Sequence, residues 1–167
     1  PYAIVAPADG IITDVSEEWE LPDGSKGFRI SIFLSIFDVH INRSPVDGRV
    51  VGRQVLTGKH LDARNPLAHQ SNQSLLWEIE LGNAVPDGTK VWVKQIAGAI
   101  ARRIVAWKDI GNDLEKGERI GMIRFGSRTD LFLPYGVVIV VTAGQRVRAG
   151  STVVARWNPR FFQRTVE

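Results

Sequence analysis

The chain has 167 residues, 44% of them hydrophobic, which is one ordinary domain's length with enough apolar mass for a sizeable core. It has no cysteine and only three histidines, His40, His60 and His69, so disulfides and thiolate chemistry are excluded and a metalloenzyme is not indicated. A net charge of +3 hides an asymmetry: residues 1–93 hold 8 Lys/Arg and 12 Asp/Glu, net −4, whereas residues 94–167 hold 13 and 6, net +7. The basic C-terminal half either attracts phosphates, of nucleic acid or of an anionic lipid surface, or is a solvated strand face. Its arginines are not interleaved with aromatics as a nucleic-acid platform would require.

In chain order, Asp9-Gly10, Asp23-Gly24, Asp47-Gly48 and Asp87-Gly88 each separate apolar, β-branched runs, the pattern of hairpin turns between strands. The spacing predicts strands over 10–15, 28–34, 49–55, 74–81, 91–96, 101–105, 119–125, 137–141 and 152–156. Helical periodicity is weak, and only a turn or two is expected, within 61–69. The longest apolar run, 136–141, is far shorter than the roughly 20 residues of a spanning helix and is β-branched besides.

Residues 111–120 and 144–153 share the pattern G-x-x-Φ-x-x-G-x-x-Φ, and Pro7-Ala8-Asp9-Gly10 is echoed by Pro45-Val46-Asp47-Gly48. Such repeats predict two similar hairpin-like turns pinned to one core. Their grammar is similar to that of the barrel-sandwich hybrid of biotinyl and lipoyl carriers. The expected fold is therefore a mostly-β, single compact domain over 1–167, with minor helix. A carrier reading would need a lysine at a hairpin tip, and Lys116 is the candidate. A non-catalytic domain on the same fold is the other alternative.

Four blocks carry a more specific message. They are Pro7-Ala8-Asp9-Gly10, the run Phe33–Pro45 containing Phe37-Asp38-Val39-His40-Ile41-Asn42-Arg43, the run Gln95–Ile104 containing Gly98, and Arg124-Phe125-Gly126-Ser127-Arg128-Thr129-Asp130. In this order and spacing, from residue 6 to about 155, they resemble the short-chain phosphatidylserine decarboxylase family. The resemblance implies a lyase made as a proenzyme that cuts its own Gly126–Ser127 bond. A β subunit of 1–126 and an α subunit of 127–167 result, and Ser127 becomes a covalent pyruvoyl cofactor. The implied reaction converts phosphatidylserine, or a related phosphoserine lipid, to phosphatidylethanolamine and carbon dioxide. The implied partners are that lipid, a membrane surface met peripherally on the cytoplasmic side, and the two fragments as a heterodimer with room for a higher homo-oligomer. Neither nucleic acid nor metal is implied. The family's short members carry a hydrophobic anchor ahead of the first block, so such a segment is expected before Pro1.

Self-cleavage needs a glycine on the acyl side, a general base and donors for the oxyanion on the Gly126 carbonyl. The resemblance makes Ser127 the nucleophile, His40 the natural base and proton donor, and Asp9 either a second base or a hairpin-turn aspartate like Asp47. Longer family members have a second histidine where this chain has Arg43, and arginine stays protonated near neutral pH. Either His40 serves both cleavage and decarboxylation, or Asp9 activates Ser127. Arg43, Arg103 and Arg128 are candidate partners for phosphate or carboxylate. Ser71-Asn72-Gln73-Ser74 replaces a charged family motif, and His60 and His69 are given no role.

Overall fold

The computed structural model describes residues 2–58, 62–64, 72–82, 86–98, 103–123 and 126–162. The chain opens with β1 (Ala3–Val5) and the long hairpin of β2 (Gly10–Glu20) and β3 (Lys26–Leu34). Next come β4 (Ile41–Arg43), β5 (Gly48–Leu56), β6 (Ser74–Leu81) and β7 (Lys90–Ile96). Three short strands, β8 (Ile104–Ala106), β9 (Asp113–Leu114) and β10 (Arg119–Ile123), precede β11 (Ser127–Pro134). The described part closes with β12 (Val137–Ile139), β13 (Arg146–Val147), β14 (Val153–Trp157) and the one-turn helix α1 (Pro159–Phe162).

The mostly-β expectation holds. Among the described residues, one curled sheet of eight strands runs β13-β2-β3-β11-β7-β6-β5-β9, flanked by the three-stranded sheets β1-β14-β12 and β4-β10-β8. Inside the curl, alternate residues of each long strand meet in one core: Ile30, Ile32 and Leu34 from β3, Trp77 and Ile79 from β6, Leu131 and Leu133 from β11. Period-two alternation places them on one face, and each buried side chain of this size contributes about 1.5–3 kcal/mol.

Strand β11, in the middle of the large sheet, was not among the expected strands. Arg128 and Asp130 break its apolar alternation, but they point to the opposite face from Thr129 and Leu131 and bind each other there. Strands β1 and β4 were also unexpected; each has only three residues, too few for a periodic signal. The helical turn expected in 61–69 lies largely outside the described residues, as does the start of the strand expected at 101–105 and the end of that expected at 119–125.

The repeats fold alike, as their spacing predicts. Gly10 pairs with Val147 and Gly48 with Leu114. Gly144 N donates to Ile12 O at 2.7 Å, and Gly111 N to Val50 O at 2.7 Å. Gly150 N donates to Ala6 O at 2.8 Å, and Gly117 N to Ser44 O at 2.8 Å. The two units thus form a pseudo-twofold pair about the contact between Gly117 and Gly150.

Candidate active site

Ser127 is the first residue of β11, opposite Leu34 of β3, and Arg128 beside it pairs with Ile96 of β7. Ser127 is thus paired on the β3 side, and the strand gains its second neighbour, β7, one residue later. The Ser127 side chain faces the core side and is fully buried, yet Oγ has no hydrogen-bond partner among the described residues. An interior hydroxyl left unpaired costs about 1–3 kcal/mol, so folds seldom keep one without a use. The residue before it, Gly126, has φ +57°, the left-handed region that glycine occupies without strain.

Across the sheet lies Gly98. A Cβ placed on it would fall 2.0 Å from the Gly126 carbonyl oxygen. No side chain fits there, so the backbone of 98 packs directly on the carbonyl that an attacking Ser127 would meet. The segment is shored from behind: Asn72 Nδ2 donates to Ala97 O at 2.6 Å and Ala97 N donates to Gln73 O at 2.9 Å. The sequence had offered Gly98 only as part of a block, and Asn72 only as a departure from one.

His40 ends the turn that leaves β3 one residue after Leu34. Asp38 organises this turn: its Oδ2 accepts from Ser35 N at 2.8 Å, and its Oδ1 accepts from Arg146 at 2.9 Å. Burial opposes ionisation of Asp38, but those donors win and hold its carboxyl below the usual range. The His40 carbonyl accepts from Ile123 N at 3.0 Å, which ties the histidine to the strand leading into Gly126. Its half-buried imidazole donates to the Ser35 carbonyl. Burial lowers its pKa below 6.5, with the Asp38 charge and the Ser35 carbonyl pulling the other way. The imidazole is therefore neutral at neutral pH, the form able to accept a proton.

Asp9 is held differently. Its Oδ1 accepts from Ala149 N at 2.7 Å, and its repeat counterpart Asp47 accepts from Lys116 N at 2.7 Å in the same way. Each carboxylate caps a turn. Ile11, Phe33 and Arg128 share one row across β2, β3 and β11, so a strand separates the Asp9 side from Ser127, roughly 10 Å between backbones. Ser127 Oγ accordingly bonds neither Asp9 nor His40; the fold brings the three to one end of the sheet without direct contact.

Arg43 points away from Ser127, donating to Gly117 O at 2.7 Å, because alternation along β4 turns Asn42 inward instead. Asn42 Nδ2 donates to Thr129 Oγ1 at 2.9 Å and its Oδ1 accepts from Gln95 at 2.9 Å, while Gln95 accepts from Trp77 at 2.7 Å. This buried chain braces β11 two residues from Ser127. Arg128 is buried, with Nε and Nη2 bonded to Asp130 and Nη2 also to Ser31, so these donors are spent within the sheet. Arg103 is exposed. His60, His69 and Ser71 lie outside the described residues.

Comparison with known proteins identifies the family. The family model described as phosphatidylserine decarboxylase matches residues 1–155. The phosphatidylserine decarboxylase proenzyme of Geotalea uraniireducens is 44% identical over 152 residues, covering 91% of this chain and 70% of that protein. That of Symbiobacterium thermophilum is 44% identical over 154 residues, with 92% and 70% covered. A protein of Methanothermobacter thermautotrophicus, provisionally named an archaetidylserine decarboxylase proenzyme, is 44% identical over 170 residues, with 93% and 73% covered. No carrier protein appears among these relatives, and the carrier reading of Lys116 has no support. The chain belongs to the phosphatidylserine decarboxylase family.

Proposed function

We propose that this chain is the proenzyme of a phosphatidylserine decarboxylase that generates its own pyruvoyl group at Ser127. The observation that carries the reading is the buried, unpartnered Ser127 Oγ directly behind Gly126. A base takes the Oγ proton, and Oγ attacks the Gly126 carbonyl carbon. The C–N bond breaks, nitrogen takes a proton, and an ester joins the two pieces. Loss of the Ser127 α-proton then expels the Gly126 carboxylate with the C–O electron pair. The enamine left behind tautomerises, water adds and ammonia leaves.

The residues fit the product group: Ser127 opens β11 paired with Leu34 of β3, β7 pairs from the next residue on, and the Gly98 backbone packs against the carbonyl of the preceding Gly126. When present, the pyruvoyl group supplies an electron sink for the pair released with carbon dioxide. His40, neutral and next to this end of the sheet, takes the Oγ proton in self-cleavage and carries a proton to the substrate α-carbon in turnover. Asp9 is the second candidate for the first task. The relatives' names supply the substrate class, a phosphoserine lipid.

Turnover tests this directly. Purified protein given phosphatidylserine labelled in the serine carboxyl should release labelled carbon dioxide, and Ser127→Ala should release none. Equal release by both proteins would refute a role for Ser127.

A further inference from the structure

Residues 35–40 form the turn between β3 and β4 that carries His40. Its apolar side chains are turned outward: Phe37 is 91% exposed, Val39 58% and Ile36 56%. Single exposed apolar residues are ordinary, but three on one tight turn beside a site are not. The turn is also preformed. Asp38 accepts from Ser35 N, Ser35 Oγ accepts from Phe37 N at 3.3 Å, and Asp38 ties the whole to Arg146 on β13. Beside the turn stand two exposed guanidinium groups, Arg146 of β13, paired with Asp38, and Arg64, paired with Asp62 and lying over the Phe33 ring, while a third exposed arginine, Arg148, directly follows β13.

From this geometry we infer that turn 35–40 is a lipid-docking element, which seats Ile36, Phe37 and Val39 at the acyl boundary of an anionic bilayer while the arginine rim meets phosphates. The inference rests on the decarboxylase reading, because a lipid whose tails stay in the bilayer can offer only its headgroup. Leu34, at the base of the turn, pairs with Ser127, so a bilayer touching the tip lies at the Ser127 end of the sheet. Arginine stems can lie along apolar surface while their heads reach phosphate, which suits the rim to the interface. Two of the three arginines belong to the basic C-terminal half; Arg64 does not.

The test measures partitioning of the 167-residue chain onto vesicles of phosphatidylcholine mixed with phosphatidylglycerol, which is anionic but no substrate. Phe37→Ser, at an exposed position outside the catalytic groups, should weaken partitioning about tenfold. It should leave Gly126–Ser127 cleavage and turnover of a monomeric, short-chain phosphatidylserine unchanged. In Phe37→Trp, the added indole should be quenched by brominated lipid. Wild-type partitioning insensitive to Phe37→Ser, absence of quenching, or binding abolished by salt alone would each overturn the docking element. Failure of the wild type on the short-chain lipid would instead strike the decarboxylase reading.

Discussion

Gly98 offers the sharpest separation of folding from processing. Its backbone lies against the Gly126 carbonyl oxygen so closely that a methyl group must displace one of the two chains. Gly98→Ala should therefore slow self-cleavage at least about tenfold while the chain still folds, since overpacking of this kind costs about 1–3 kcal/mol. A denaturing-gel time course beside a thermal melt checks it; normal cleavage would mean that the contact does not orient the scissile carbonyl. His40 gives a pH signature. Because folding lowers its pKa below 6.5, the neutral base persists into mild acid, and the acid limb of the cleavage rate should fall below that value. The same shift sets the sign for stability. Above 6.5 the group is neutral in both states; below it the unfolded chain binds a proton first, so acid erodes stability until the folded imidazole titrates too. His40→Gln should remove that loss from acid-range melts. His40, Ser127 and Asp9 were legible as sequence blocks. Asp38 and Gly98 were not given roles, since what they do depends on a turn geometry and a cross-strand register.

At the level of elements, the two repeats supply an internal control for Asp9. Asp9 and Asp47 cap equivalent turns with equal bonds. Asp9→Asn and Asp47→Asn should each cost about 1 kcal/mol in chemical denaturation. If Asp9 also activates Ser127, only Asp9→Asn should slow cleavage, by about 10²–10⁴. Equal, normal cleavage in both variants would reduce Asp9 to a turn cap and leave His40 as the base. These repeats were readable because their glycines and apolar positions recur at fixed spacing. Strand β11 was not, because its outward residues are an arginine and an aspartate that satisfy each other in a layer formed only by the folded sheet.

For the whole molecule, the position of the cut matters most. Cleavage before Ser127 would make β11 the leading strand of the shorter piece, still paired with β3 on one side and β7 on the other. Leu131 and Leu133 would stay in the common core. The two pieces should thus co-elute in native gel filtration and part only in denaturant; separation under native conditions would contradict this sheet order. The central claim is that Ser127 of this fold converts itself. Intact-mass analysis under denaturing conditions tests it most directly. The account predicts a piece of 126 residues and one of 41, the shorter lighter by one ammonia than a serine-started fragment, with Ser127→Ala remaining whole. A wild-type protein that stays a single 18.5 kDa chain after folding would contradict it.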